Sequence, residues 1–321
     1  MHRLALLVAT VAACGGGAAQ EPVKPIGIVP VPAVAPPPKP VCIRAPEDVA
    51  AITHATADET HVSYCIGEAV DQCFKLDLET GKLDLLAEPP AAQDKSLTPT
   101  GHVETTNPEL KVCNANGCKT LTPQVWPGAA PLHAATNGAV AVVMLGDAEA
   151  GKGYVDVYDA GKAKKLATFK YARGEMKCGE VAMLGDVIYV SAIACKSPSG
   201  RGALYTTKGK KIANVGGKGE FGTYGGAYTQ LTDTTWAFLE ENGNMIAVQD
   251  VAKGKVLKTV DVTQLFDNVR MGNPGESAIV RLSAGKLAVI GGTPANGSVA
   301  IVDPASGEVK VVKAPLCGSG G

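Results

Sequence analysis

The sequence has few aromatic residues, almost no net charge and no long apolar segment. Phenylalanine, tryptophan and tyrosine make up 5% of the 321 residues, and the formal net charge is −1. A nearly neutral chain has no basic field for nucleic acid, so we expect no nucleic-acid partner. After the first residues no convincing amphipathic helix is evident; residues 45–56 are the best candidate, and they could equally lead into a strand. Short, turn-bounded apolar runs predict an all-β protein.

The first residues read as an export signal. A basic start precedes an apolar run at residues 4–13, which is shorter than the ~20 residues of a membrane span and suits a signal-peptide core. The run ends in "VAAC", which resembles the lipobox of bacterial lipoproteins. The resemblance implies a signal peptide over residues 1–13 and a lipid on Cys14; the alternative is an ordinary secretory signal with an incidental cysteine. In that family Asp after the cysteine favours the inner membrane, whereas here Gly15 follows. We therefore expect a bacterial outer-membrane or cell-surface location, facing the periplasm or the exterior.

Residues 14–40 form the expected anchor and tether. Eight prolines lie between Pro22 and Pro40, and no part of this stretch could build a packed core. Such composition favours an extended, disordered spacer of ~3.1 Å per residue where it adopts polyproline II. The folded domain should then occupy residues 41–321.

The folded part repeats a layout of strand, loop, strand, tight turn and strand. The last turn of each copy carries a glycine, and successive glycines are separated by 36, 44, 48, 45 and 53 residues. They are Gly81, Gly117, Gly161, Gly209, Gly254 and Gly307. The mean of about 45 matches the blade period of a β-propeller, ~40–50 residues. Six copies predict six blades, or seven if residues 87–110 hide a degenerate one.

The turn sequences "DLETGK" and "DPASGE" place Asp at the start of a turn and Gly where a positive φ is needed. These two copies resemble YVTN-type and PQQ-like propeller repeats. The resemblance implies the fold and hardly bears on activity.

Eight cysteines remain besides Cys14, and an even count in an exported chain favours disulfides. Cys113 and Cys118 flank a turn that contains Asn-Gly, a strong hairpin signal. A zinc site is the rival interpretation of this pair, but no second Cys or His pair lies nearby at matching spacing. Eight cysteines allow 105 connectivities, and locality within the repeats favours four pairs. These pairs are Cys42–Cys317 at the two ends of the domain, Cys65–Cys73, Cys113–Cys118 and Cys178–Cys195.

Motifs for cofactors and catalysis are scarce. "GDAEAGKG" at 146–153 nearly matches a phosphate loop, but Gly153 replaces the Ser or Thr and a strand pattern follows. "GKGEFG" at 217–222 has a dinucleotide-type glycine spacing without a surrounding βαβ unit. We therefore expect no cofactor and no metal site. Trp126 and Trp236 are expected to pack in the core.

Ligands of propellers usually bind at the mouth of the central channel, near the start of each innermost strand. The candidate residues there are Glu180, Glu276, Tyr228 and Arg281. Two carboxylates from different blades could meet a cation or a basic ligand, and the alternative is that each is an ordinary solvated or ion-paired residue. The sequence thus predicts a membrane-anchored binding or scaffold module for an envelope protein, peptide or glycan. The alternatives are a propeller enzyme of lactonase-like or quinoprotein-like type, and a sensor or accessory subunit of a surface complex.

Overall fold

A computed structural model defines the fold of the unit Val41–Gly321. The residues described are 41–44, 51–67, 72–98, 101–106, 109–123, 129–147, 152–173, 178–193, 202–217, 227–240, 244–266, 277–292 and 295–317. Glu276, Cys195, Trp126 and the proposed signal and tether lie outside these residues, as do the loops within 146–153 and 217–222.

The described chain forms six antiparallel sheets, each built from strands consecutive in sequence. Blade 1 contains β1 (Ile52–Ala57), β2 (His61–Ile66), β3 (Cys73–Asp77) and β4 (Leu83–Leu85). Blade 2 contains β5 (Gly101–Thr106), β6 (Glu109–Asn114) and β7 (Gly117–Leu121). Blade 3 contains β8 (Ala129–Thr136), β9 (Val140–Asp147), β10 (Lys152–Asp159) and β11 (Lys164–Arg173).

The second half of the chain continues the same order. Blade 4 contains β12 (Cys178–Leu184), β13 (Val187–Ile193), β14 (Gly202–Thr206) and β15 (Lys211–Asn214). Blade 5 contains β16 (Tyr228–Gln230), β17 (Thr235–Leu239), β18 (Met245–Asp250) and β19 (Lys255–Asp261). Blade 6 contains β20 (Ala278–Arg281), β21 (Leu287–Ile290), β22 (Val299–Val302) and β23 (Val309–Val312). Short 3-10 turns occur at Thr263–Phe266 and Ser283–Gly285. The protein is a β-propeller of six blades, as the repeat period predicts; the described residues show no seventh blade within 87–110.

Alternation of buried and polar side chains explains why these segments are strands. In β2, Val62, Tyr64 and Ile66 are buried on one sheet face, and the intervening residues point to the other. The buried faces meet between blades in five hydrophobic clusters, which join blades 2 and 3, 3 and 4, 4 and 5, 5 and 6, and 6 and 1. Trp236 is fully buried between blades 4 and 5, in agreement with its expected core position. Among the described residues, no such cluster joins blades 1 and 2.

Turn glycines confirm where neighbouring blades touch. The Gly254 turn of blade 5 packs on Ala213 in the last strand of blade 4, where an added Cβ would lie 2.6 Å from the Ala213 Cβ. The Gly209 turn of blade 4 packs equally closely on Phe169 in blade 3. The corresponding Gly117 of blade 2 has no atom within 4 Å of its Cβ direction, and Gly161 of blade 3 meets only Asp159 of its own blade. Among the described residues, blades 2 and 3 nevertheless share a hydrophobic cluster and blades 1 and 2 do not, so we call the junction of blades 1 and 2 the seam.

In the described residues, blade 2 has no counterpart of the strand that is innermost in the other blades. Gly101, at the start of β5, lies against Thr136 at the end of β8, so these two strands run in opposite directions. Blades related by rotation have parallel first strands, so β5 corresponds to a second strand. Strands β5 to β7 are accordingly the second to fourth strands of a normal blade. Cys113 in β6 and Cys118 in β7 then lie on the third and fourth strands of a normal blade.

The two ends of the domain meet beside blades 1 and 6. The Ile43 amide donates to the Pro315 carbonyl at 2.8 Å, and the Cys317 amide donates to the Ile43 carbonyl at 2.8 Å. A disulfide joins Cys42 and Cys317 across this contact. The phenol of Tyr64 in blade 1 donates to the Gly297 carbonyl of blade 6 at 2.7 Å. The first and last blades are thus held together by backbone, side-chain and covalent bonds.

Two more disulfides are present, in the blades that flank the seam. Cys65 faces Cys73 directly across β2 and β3, and Cys113 faces Cys118 across β6 and β7. Cys73 and Phe74 are adjacent in β3, so their side chains point to opposite faces of the sheet, and Phe74 packs towards blade 6. These two disulfides therefore lie on sheet faces without a hydrophobic inter-blade cluster. The fourth expected pair includes Cys195 and lies outside the described residues, although Cys178 does begin β12.

Candidate functional site

The connection between blades 1 and 2 forms a strap across the inner strands of other blades. We define the strap as residues 91–98. The backbone N–H of Gln93 donates to the Ala55 carbonyl of β1 at 2.8 Å. The backbone N–H of Gln230 in β16 donates to the Lys95 carbonyl, also at 2.8 Å. The strap therefore joins blades 1 and 5. It occupies the stretch of sequence where blade 2 would otherwise have its first strand.

Two glutamine side chains hold the strap in place through hydrogen bonds to backbone groups, as a neighbouring strand would. The Gln93 side chain accepts from the Arg281 amide at 2.7 Å and donates to the Arg281 carbonyl at 3.1 Å. On the other side, the Gln230 side chain accepts from the Leu97 amide at 2.8 Å. Because a primary amide has both a donor and an acceptor, it can pair with a strand edge without itself being part of a strand.

Arg281, a predicted site residue, binds the strap backbone. It is the last residue of β20, not near the start of that strand as the channel-mouth prediction requires. Its guanidinium donates to the carbonyl oxygens of Asp94 at 2.7 Å, Lys95 at 2.9 Å and Ser96 at 3.3 Å. It also donates to the Thr229 hydroxyl at 2.9 Å. A planar fork of several donors suits such a row of acceptors.

Glu180 and Tyr228, two other predicted residues, are in direct contact. The Tyr228 phenol donates to the Glu180 carboxylate at 2.7 Å. The Lys95 ammonium of the strap lies 3.4 Å from the same carboxylate and 4.2 Å from the centre of the Tyr228 ring. Burial raises the pKa of Tyr228 well above its ordinary value, and the adjacent Glu180 carboxylate adds to the shift. The phenol therefore stays a neutral hydrogen-bond donor.

The structure thus brings three of the four predicted residues into one network, with the strap as their partner. Glu276, the fourth, lies outside the described residues. Ligand binding by Glu180, Tyr228 and Arg281 stays a prediction. Sequence reasoning missed Gln93, Lys95 and Gln230. The signal that could have found the strap is the short second repeat, because Gly81 and Gly117 are only 36 residues apart, whereas the other turn glycines are separated by 44 to 53.

A recess of about 500 Å³ lies beside the strap, at the end of the ring where the first turns of blades 3 to 5 gather. Its wall is shared by the strap and those turns. The lining residues include Asp94, Ser96 and Thr98 of the strap, Asn137, Asp186 and Asp233 of the turns, and Met183, Val187, Gln230 and Val251. The volume falls in the range of small-ligand pockets, ~300–1,000 Å³.

A second polar group lies on blade 2. His102, Glu104 and Cys113 place ligand-type atoms within 4.8 Å of one another. The sulfur of Cys113 is bound in the disulfide with Cys118, so it is not available as a thiolate. The remaining pair is His102 with Glu104, at 3.2 Å on the surface. Two exposed residues do not make a zinc site, which needs three or four ligands.

No family model and no curated protein matches this chain. Among solved structures it is similar to the WD40 β-propeller domain of Doa1, at 12% identity and a TM-score of 0.39, over 86% of each chain. It is also similar to a chain of the mitotic checkpoint complex, at 16% identity and a TM-score of 0.38, over 89% of this chain and 74% of that one. At such low scores neither likeness bears on what this chain binds. In the part of the chain that the structure describes, no helix is long and apolar enough to cross a membrane.

Proposed function

We propose that this chain is a lipid-anchored propeller of the bacterial envelope that binds a protein partner at the recess beside its strap. The single observation that carries the binding role is the recess itself, a preformed cavity that collects turns from three consecutive blades. The turns in the recess wall connect hydrogen-bonded strands, so we expect the recess to be formed before a partner arrives. A preorganised surface loses little conformational entropy on binding.

The inner strands supply a further argument for this location. Strands β1, β16 and β20 bond the strap, so part of the inner surface of the ring is already covered by the chain itself. The recess is lined both by the strap and by the surrounding turns. Thr98 and Thr234 in the recess wall are exposed, whereas Tyr228 is buried and is not part of that wall.

The anchor is supported by the sequence. The "VAAC" motif supplies Cys14, and the proline-rich residues up to Pro40 supply length between the lipid and the blades. The disulfides suit an oxidising compartment. Replacing Cys14 with Ser should release the protein from the membrane fraction. Unchanged retention of Cys14→Ser would refute the anchor.

Photo-crosslinking in intact cells tests the binding role. A photoreactive amino acid at Thr98 or Thr234, in the recess wall, should give a crosslink to a discrete partner. The control positions are Leu166 and Leu257 on strands β11 and β19, which are 55% and 52% exposed. These controls should give none. Equal crosslinking at all four positions, or none at the recess, would count against the proposal.

A further inference from the structure

Among the described residues that line the recess, the charged groups are all carboxylates. They are Asp94, Asp186 and Asp233, and this described lining contains no Lys, Arg or His. The cations near the recess already have partners. Lys95 contacts Glu180, and Lys253 lies 3.0 Å from Asp250. Arg281 donates to the strap carbonyls and also interacts electrostatically with the Asp94 carboxylate. A concave site lined by one sign of charge concentrates ligands of the other sign.

The recess also has an apolar side. Among its apolar lining residues, Met183 and Val187 keep 7% and 6% of their surface exposed, whereas Leu184 and Val251 are almost fully buried. Apolar surface next to carboxylates is the environment that a lysine or arginine side chain uses, because its methylene stem packs while its charged head reaches polar groups. A volume of about 500 Å³ exceeds what one such side chain fills, so it leaves room for adjoining peptide backbone.

The spacing of the carboxylates favours an organic cation over a metal ion. Among the described residues, the only group of three or more metal-ligating side chains that come within 4.8 Å of one another is His102, Glu104 and Cys113. The three aspartates of the recess therefore do not converge on one point. Two of them already accept hydrogen bonds, Asp94 from the Ser96 amide at 2.9 Å and Asp186 from the Asn137 side chain at 3.3 Å. Separated carboxylates suit the several donors of a guanidinium or ammonium group and its peptide.

We infer that the recess binds a basic side chain, lysine or arginine, presented by an extended segment of the protein partner. The inference rests on the proposed function and adds the chemistry of what is recognised. The apolar wall takes the stem, and the aspartates take the charge. A neutral segment of the same shape leaves the aspartates without a counter-charge and binds more weakly.

Nuclear magnetic resonance titration of the full chain carrying Cys14→Ser tests this directly. The probes are three blocked pentapeptides that differ only in the central residue: arginine, lysine or neutral citrulline. The arginine and lysine peptides should shift the amide signals of Gly185, Asp186 and Thr234, and added salt should weaken both. The citrulline peptide should shift them at least about tenfold less at equal concentration.

Two variants make the test specific to the carboxylates. The combined change Asp186→Asn and Asp233→Asn keeps the side-chain shape and should weaken both basic peptides about tenfold or more. The control Asp84→Asn removes an exposed carboxylate on β4 and should leave the affinities unchanged. Because the citrulline comparison uses the unaltered recess, it stands even if the double variant unfolds.

Three results would overturn the inference. They are equal shifts with citrulline, shifts confined to other blades, and selective broadening of the recess amides by Mn²⁺ with no response to any peptide. If crosslinking at Thr98 succeeds while the basic peptides fail, the inference is wrong and the proposed function stands. If crosslinking also fails, both are wrong.

Discussion

At the scale of single residues, aspartates that begin turns accept hydrogen bonds from backbone amides two or three residues later in the chain. Asp77 accepts from the amides of Glu79 and Thr80 at 3.0 and 2.7 Å, and Asp303 accepts from the amide of Ala305 at 2.8 Å. Backbone donors lower the pKa of Asp77 and of Asp303, with the Thr80 and Ser306 amides the largest causes. The carboxylate replaces a backbone acceptor within the turn. This local chemistry is why the Asp-to-Gly turns could be predicted from sequence.

Asp58, in the turn between β1 and β2, gives a pH prediction. The Thr60 amide is the largest cause that lowers the Asp58 pKa to about 2 from the ordinary 3.8. A carboxyl whose pKa is depressed in the folded state stabilises it above the ordinary pKa and loses that effect as pH falls towards 2. Asp58→Asn should thus unfold more easily than the parent at pH 7, by less than about 1 kcal/mol since the group is exposed.

Urea unfolding from pH 7 to pH 2 checks this. The gap between parent and Asp58→Asn should close as the pH falls below 4. The neighbouring Glu59→Gln serves as the control and should leave the unfolding free energy unchanged at pH 7. A gap that persists at pH 2 would show that the hydrogen-bonded charge is not its source.

At the scale of elements, the strap replaces a strand. Its partners are far away in sequence: Gln93 and Arg281 are separated by 188 residues. Amide side chains that bond backbone leave no alternating pattern, so periodicity could not reveal this contact, whereas the blades' turn glycines recur visibly. The shortness of the second repeat was visible, but its cause, a first strand displaced from blade 2, was not.

The two glutamines should act on different amides. Gln93→Ala removes the acceptor of the Arg281 amide, and Gln230→Ala removes the acceptor of the Leu97 amide. Each variant should raise hydrogen exchange at its own partner by about fivefold, equivalent to losing a bond of about 1 kcal/mol. Each is the control for the other. Identical exchange patterns in both variants would indicate that the strap detaches as one unit and that the individual contacts are not separable.

The disulfides of blades 1 and 2 lie where hydrophobic packing between blades is missing. Cys113 and Cys118 close a short hairpin, so the loop-entropy model gives the cross-link about 2 kcal/mol. The combined change Cys113→Ser and Cys118→Ser should therefore raise exchange in β6 and β7 while blade 5 stays protected. Amide hydrogen exchange measured by mass spectrometry checks this prediction. A uniform rise in exchange across all blades would contradict a stabilising role limited to blade 2.

At the scale of the whole molecule, blades 1 and 6 close the chain ends. The disulfide Cys42–Cys317 has a sequence separation of 275, and a loop of that length gives about 5.6 kcal/mol in the entropic account. This pairing could be predicted because a ring brings its ends together. The seam between blades 1 and 2 could not, since consecutive repeats are normally packed neighbours.

Removal of that disulfide should loosen the end blades most. The double change Cys42→Ser and Cys317→Ser should raise amide exchange at Ile43, Leu316 and the strands of blades 1 and 6. Blades 3 and 4 should keep their protection, because their shared cluster does not involve the chain ends. Unchanged amide exchange in all blades would show that the Cys42–Cys317 disulfide is not needed to hold the two ends of the domain together.

The most direct test of this account is scalar coupling across individual hydrogen bonds, detected by nuclear magnetic resonance. The central claim is that residues 91–98 leave blade 2 and bond the inner strands of blades 1 and 5. One coupling should connect the backbone amide nitrogen of Gln230 with the Lys95 carbonyl. A second coupling should connect the backbone amide nitrogen of Gln93 with the Ala55 carbonyl. The bond from the Leu239 amide to the Ala227 carbonyl, also 2.8 Å, is the internal control. Couplings from the strap to β5, or none where the control is visible, would contradict the account.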